Sequence, residues 1–188
     1  MVFSMARLIS FLWKSIESGC DFFFPKICWH CKEVRDDICI FCPRCLVGLD
    51  VLSPMGRCRM CFQESVVYRC ARCVHHPFPF YRFGAVFEAN AMTKVLWAHV
   101  DQLSKTIAAF FVYQWGCMKW PFPHLVYAEK ELRCVQKHVC RFLQISPCIS
   151  WKMPYEGSRV LYLTHRYRKQ ELPKCLLNYR LFGLSYAL

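Results

Sequence analysis

Apolar positions along the chain fall into three regimes. Residues 3 to 17 place Phe3, Leu8, Phe11, Leu12 and Ile16 at helical spacing, which predicts a short amphipathic helix. Residues 25 to 76 have little apolar periodicity and read as Gly/Pro turns with short strands. His75-His76-Pro77-Phe78-Pro79-Phe80 then marks a boundary, because two prolines favour an extended link. Beyond it, extended and helical patterns alternate. Strands are predicted at Tyr81 to Phe87, His124 to Ala128, Arg159 to Leu163 and Phe182 to Ala187. Between them lie a long helix from Ala91 to Trp115, with Val95, Leu96, Leu103, Ile107, Phe110 and Phe111 as its apolar positions, and a helix from Glu131 to Leu143 carrying Val135, Val139 and Phe142. A short helix over Glu171 to Leu177 has Pro173 in its first turn. Such alternation predicts an α/β domain with a mainly parallel sheet. The stretch from Ser146 to Ser158 is too short for a further helix–strand unit.

The middle regime carries the most specific chemistry. Eight cysteines form four C-x-x-C pairs: Cys28/Cys31, Cys42/Cys45, Cys58/Cys61 and Cys70/Cys73. Two thiolates two residues apart in a tight turn can face one tetrahedral ion, and a second such pair completes a four-sulfur shell. Ten residues separate the first two pairs and eight the last two, which predicts two consecutive zinc ribbons holding two zinc ions. Cys39 leaves a choice of register, since Cys39, Cys42 and Cys45 are each three apart. Pro43-Arg44 resembles a knuckle more than Ile40-Phe41 does, and favours Cys42/Cys45. Disulfides, a redox dithiol at Cys28-Trp29-His30-Cys31 and buried cysteines without metal are the competing readings. His75 and His76 read as linker residues, the sulfur count being complete.

Composition changes this picture only at the margins. The 188 residues are 55% hydrophobic and 16% aromatic, yet no run of 18 apolar residues offers a transmembrane helix. Leu8 to Trp13 is too short for the apolar centre of a secretory signal. With 15 cysteines and no export signal, a reducing cytoplasm is the expected compartment. The formal charge of +12 falls to roughly +8 once two four-thiolate zinc sites are counted at about −2 each. That balance favours an anionic partner such as nucleic acid or a phosphorylated small molecule. Arg57, Arg59, Arg69 and Arg72, within or beside the second ribbon, are the candidate nucleic-acid contacts, with Trp29 or Tyr167 as stacking partners. Arg133, Lys137 and Arg141 recur at four-residue spacing and read more readily as a solvated helix face.

The order of these parts resembles the ComF family, proteins associated with DNA uptake and competence. The resemblance rests on a short helix leading into Phe24-Pro25-x-x-Cys28, the two four-cysteine ribbons and the Pro-Phe link. It continues in an aromatic strand ending near Gly84-Ala85-Val86-Phe87, a helix with Lys94 and Leu96, and a last strand Phe182-Gly183-Leu184-Ser185-Tyr186-Ala187. It implies an N-terminal helix over 1–24, a double zinc ribbon over 25–76 and a phosphoribosyltransferase-like domain over 77–188.

The chain departs from that family at the substrate loop. Phosphoribosyltransferases run a buried strand into two acidic residues, then hydroxyl residues and glycine that cradle a 5′-phosphate. Here the strand Arg159 to Leu163 meets Thr164-His165 where the acids belong, followed by Arg166-Tyr167-Arg168-Lys169-Gln170. Arg168 and Lys169 could grip a phosphate, but nothing replaces the carboxylates' contacts to ribose hydroxyls or magnesium. The basic segment ending in an Arg-Gly-Phe-Asn-like run is also missing, as Ala128-Glu129-Lys130-Glu131 leads straight into a helix. The expectation is a shortened, degenerate, non-catalytic domain in an accessory protein of DNA uptake or processing. Single-stranded DNA or a DNA-uptake protein is the expected partner, and no small-molecule substrate is expected. The alternative is an active phosphoribosyltransferase using an altered loop.

Overall fold

The computed structural model describes residues 26–35, 39–76, 79–145, 158–165 and 179–187. The helix expected over residues 3 to 17, Pro77-Phe78 of the link, the segment 146–157 and the helix expected at Glu171 to Leu177 lie outside them. So do Arg166, Tyr167, Arg168 and Lys169. The chain divides into two compact units, one ending at Gly48 and the other beginning at Leu49. The second cysteine ribbon thus belongs to the same unit as the sheet, where the cysteine pattern had grouped it with the first ribbon.

The predicted α/β class is present as one parallel sheet. Strands β1 (Arg82–Phe87), β2 (Leu125–Ala128), β3 (Arg159–Thr164) and β4 (Arg180–Ala187) lie in the order β1-β4-β3-β2. Each neighbouring pair is parallel. Strands buried on both faces read as unbroken apolar runs, and β3 and β4 are buried along nearly their whole length. Gly183, opposite Phe83 in β4, is required by packing: a Cβ there would meet the Phe80 and Phe83 rings at 2.6–2.7 Å. These rings join Leu52, Phe62, Ala85, Val160, Tyr162 and Leu181 in the apolar core.

The long helix expected from Ala91 to Trp115 is two helices, α3 (Ala91–Ala98) and α4 (Ser104–Cys117). Helix α3 begins with a capping box, in which Asn90 Oδ1 accepts from Thr93 N at 3.0 Å and Thr93 Oγ1 accepts from Asn90 N at 2.9 Å. It ends where His99 leaves helical geometry (φ −117°, ψ 27°). His99, the β-branched Val100 and Asp101 are all weak helix formers, and apolar spacing alone did not register them. Helix α5 (Arg133–Leu143), preceded by a 3-10 turn over Lys130–Leu132, packs on α4. It buries Val135, Gln136, Val139, Cys140 and Leu143. Phe142, expected on the buried face, is 41% exposed. Arg133, Lys137 and Arg141 all face solvent.

The remaining two helices among the described residues are single turns in the ribbons, α1 (Pro43–Val47) and α2 (Ala71–His75). The second ribbon is tied to the sheet edge through its leading segment. Val51 bridges Phe87 antiparallel, Leu52 N donates to Val86 O at 2.9 Å and Glu88 N to Asp50 O at 3.0 Å. Gln114 of α4, buried, locks that seam: its Nε2 donates to Leu52 O at 2.8 Å and Ala85 O at 2.7 Å. One buried side chain thus ties the segment leading into the ribbon to β1 through two backbone carbonyls.

Candidate metal centres

The two ribbons repeat one local design. In the first, an antiparallel bridge between Ile27 and Val34 closes a turn that holds Cys28 and Cys31. Cys28 N donates to Glu33 O at 2.8 Å and Lys32 N to Cys28 O at 2.9 Å, with Lys32 in the left-handed region at φ 62°. The second ribbon copies this with a bridge between Arg57 and Glu64. There Cys58 N donates to Gln63 O and Phe62 N to Cys58 O, both at 2.8 Å, with Phe62 at φ 65°. The later cysteines match as well. Cys42 and Cys70 precede α1 and α2 with nearly identical backbone (φ −67°, ψ 160° and φ −68°, ψ 159°). Cys45 and Cys73 lie one turn along on each helix.

This folding brings four sulfurs together twice. Sγ atoms of Cys28, Cys31, Cys42 and Cys45 lie within 4.8 Å of one another, as do those of Cys58, Cys61, Cys70 and Cys73. Either set could hold a metal ion. The Sγ–Sγ separations of Cys31–Cys42, 3.7 Å, and Cys61–Cys70, 3.6 Å, are far longer than a disulfide bond. They match the roughly 3.8 Å edge of a tetrahedron with metal–sulfur bonds of about 2.3 Å. Backbone amides support the thiolates: Cys42 N points at Cys28 Sγ (3.4 Å) and Cys70 N at Cys58 Sγ (3.3 Å). His30 Nδ1 lies 3.3 Å from Cys45 Sγ, a contact that steadies the first set.

Electrostatics within each set is equally repetitive. Burial alone would raise the Cys28 thiol, but amides of Cys42, Cys31 and His30 outweigh it and lower it to about 6. Cys58 is lowered to about 6 in the same way by the amides of Cys70, Cys61 and Met60. Burial, then the neighbouring sulfurs, pushes Cys45 up to about 12 and raises Cys73 further. Four sulfurs so close cannot all carry charge without a cation among them. A bound divalent cation removes that repulsion and displaces the protons from Cys45 and Cys73.

The other predicted residues are dispersed. Cys39 is exposed and belongs to neither set. His75 and His76 are exposed at the end of α2, outside both sets. Of the four candidate arginines, two are structural. Arg69 Nε and Nη2 donate to Cys73 O at 2.9 and 2.6 Å, and Arg57 Nη1 donates to Phe62 O at 3.2 Å. Arg59 and Arg72 are exposed, and the Arg59 guanidinium lies 4.6 Å from the Tyr68 ring centre. Spacing grouped the four arginines by their position in or beside the ribbon and could not separate those whose donors face backbone carbonyls.

At the end of β3, Thr164 is buried and the His165 ring stacks on Trp97 at 3.5 Å. Glu129, at the end of β2, accepts from His165 N at 3.0 Å and from Tyr162 Oη at 3.2 Å. Sequence reasoning passed over Glu129, Trp97, Gln114 and Tyr68, whose roles arise from contacts distant along the chain. No helix among the described residues is long and apolar enough to cross a membrane. In comparisons with known proteins, no family model, no curated protein and no solved structure matches this chain.

Proposed function

We propose that this chain is a zinc-binding, ComF-like accessory protein of DNA uptake or processing that engages single-stranded nucleic acid, with a phosphoribosyltransferase-like domain that performs no catalysis. Zinc is the ion of choice because four cysteine thiolates in a closed, near-tetrahedral set form a structural zinc site with no open position for chemistry. The nucleic-acid reading is carried by one observation: the second ribbon exposes a guanidinium laid on an aromatic ring, Arg59 on Tyr68, and its helix α2 exposes a further arginine, Arg72. Single strands bind to such surfaces through phosphate contacts and base stacking, without base specificity. The end of β3 supports a non-catalytic domain. Where ribose-binding carboxylates would stand, the chain has a buried threonine and a stacked histidine. The nearby Glu129 carboxylate is taken up by a backbone amide and a tyrosine hydroxyl.

The test combines metal analysis with titration of a fluorescent deoxythymidine oligonucleotide at two salt concentrations. We expect two zinc ions per chain and a binding constant that falls with salt by about 0.7 log units per contacted phosphate for each decade of salt. Reversing charge at Arg59 and Arg72 together, which leaves Arg57 and Arg69 to hold the ribbon, should flatten that slope with both zinc ions retained. Absence of binding at low salt, or binding indifferent to salt and to these arginines, overturns the nucleic-acid reading. Fewer than one zinc per chain overturns the metal reading.

A further inference from the structure

The second ribbon and the sheet, which belong to one compact unit, border an open cavity of about 530 Å³. Its size lies within the range of small-molecule sites. Its chemistry is one-sided: Arg57, Arg59, Arg82 and Lys119 contribute four cations, and none of its lining residues is acidic. An excess of positive side chains around a concave space concentrates anions. Arg57 is held by the Phe62 carbonyl and approaches Glu64 at 3.9 Å, so it forms a fixed part of the wall. Arg59 and Lys119 are exposed, and neither makes an ion pair among the described residues.

The cavity also has flat surfaces. Tyr68 carries the Arg59 guanidinium 4.6 Å from its ring centre, and its hydroxyl lies 3.4 Å from Arg82 Nη2. Phe62, Phe83 and Trp120 line the apolar side, with Trp120 braced against Phe182 at 5.5 Å between ring centres. Aromatic rings and guanidinium planes are the surfaces on which nucleobases stack. Lys119 and Arg82, neither of which makes an ion pair among the described residues, suit a phosphate.

We propose that this cavity is a nucleotide seat: Lys119 and Arg82 receive the phosphate, and the Arg59–Tyr68 pair stacks the base. The shared chemistry is a phosphate attached to an aromatic base, supplied either by a free mononucleotide or by one unit of a single strand. This inference rests on the nucleic-acid reading above and narrows it to one place. The site lies on the ribbon side of β1, at Arg82 and Phe83, and involves neither Thr164 nor His165 at the far end of the parallel strands.

The experiment uses the full chain with its metal. Thymidine 5′-monophosphate, thymidine, inorganic phosphate and a ten-residue deoxythymidine strand are each titrated by calorimetry. We expect the monophosphate to bind at least about tenfold more tightly than either thymidine or phosphate, because each supplies only half of the contacts. Lys119→Glu and Tyr68→Ala should each weaken the monophosphate about tenfold or more with zinc content unchanged, whereas Lys137→Glu, on the solvent face of α5 and outside the cavity, should change it less than about twofold. A strand that binds more tightly than the monophosphate, and is weakened by the same two variants, identifies the strand as the source. Equal affinities identify the free nucleotide. Strand binding that survives Lys119→Glu and Tyr68→Ala overturns the cavity and leaves the nucleic-acid reading standing. Phosphate binding as tight as the monophosphate overturns the base seat. No binding of any probe to zinc-loaded protein overturns both readings.

Discussion

The two ribbons share a backbone plan and differ in what one residue does with it. Lys32 and Phe62 hold equivalent left-handed positions immediately after the second cysteine of each knuckle, at φ 62° and 65°. Lys32 is exposed and its Nζ donates to Trp29 O at 2.9 Å. Phe62 is 2% exposed and belongs to the core cluster of the sheet. The sulfur geometry is therefore a local property, produced by cysteine spacing, amide–sulfur contacts and a tight turn. Attachment to a larger core is a separate property that a single side chain can add. A metal site built this way can serve as a free-standing module or as a structural corner of another domain, without altering its ligands.

The largest break in this comparison comes from removing one ligand from each ribbon. Cys58→Ser and Cys28→Ser should each abolish one zinc, since a three-sulfur set leaves the tetrahedral shell incomplete and no longer closes the knuckle turn. The consequences should diverge. Losing the second metal releases Phe62 and the seam at Leu52, so amide exchange in β1 should accelerate strongly and the unfolding temperature of that unit should fall by on the order of 10 °C or more. Losing the first metal should leave β1 exchange unchanged. Equal effects on β1 from the two variants would show that ribbon attachment does not depend on Phe62 and its seam.

A smaller perturbation leaves both metals in place. Phe62→Ala removes a buried ring and should cost about 3–5 kcal/mol of unfolding free energy. Lys32→Ala, at the matching exposed position, should stay within about 0.5 kcal/mol. Denaturant unfolding with parallel zinc analysis measures both. A Phe62→Ala cost under about 1 kcal/mol would mean that the ring fills space without holding the ribbon to the sheet.

These contrasts explain what could be read from the chain alone. Cysteine spacing identified both sulfur sets, because knuckle geometry depends on residues adjacent in sequence. The four strands were legible as apolar runs in β1, β3 and β4 and as a short extended stretch in β2, since a buried parallel strand must be apolar on both faces. The break at His99 was not legible: Leu96 and Leu103 lie on either side of it and are both buried, so the apolar pattern continues through a change of backbone. Nor could spacing reveal that Arg69 caps Cys73 while Arg59 lies on Tyr68. Both are arginines one residue from a cysteine, and only the turn decides which carbonyl or ring each one meets. The cavity has the same origin. Lys119 and Tyr68 are fifty-one positions apart and line one cavity because Gln114 and the 50–52 segment draw the ribbon onto the sheet edge.

The smallest expected effect tests the turn itself. A non-glycine residue in the left-handed region carries a cost of about 1–2 kcal/mol relative to its preferred backbone, and glycine carries none. At Lys32 the side chain contributes only an exposed contact to a carbonyl, so Lys32→Gly should relieve most of that strain. Glycine's greater freedom in the unfolded chain offsets part of the gain, leaving about 0.5 kcal/mol in favour of the folded ribbon. The signature is slower transfer of the first zinc to a chelator, by about twofold. Phe62→Gly relieves the same strain but forfeits the buried ring, so the second zinc should leave faster and the sheet should lose stability. Opposite signs at two positions with matching backbone angles would isolate the packing contribution of the ring from the geometry of the knuckle. If both substitutions accelerate zinc loss, the left-handed residue stabilises its turn through side-chain contacts in both ribbons, and the division between local geometry and attachment fails at this position.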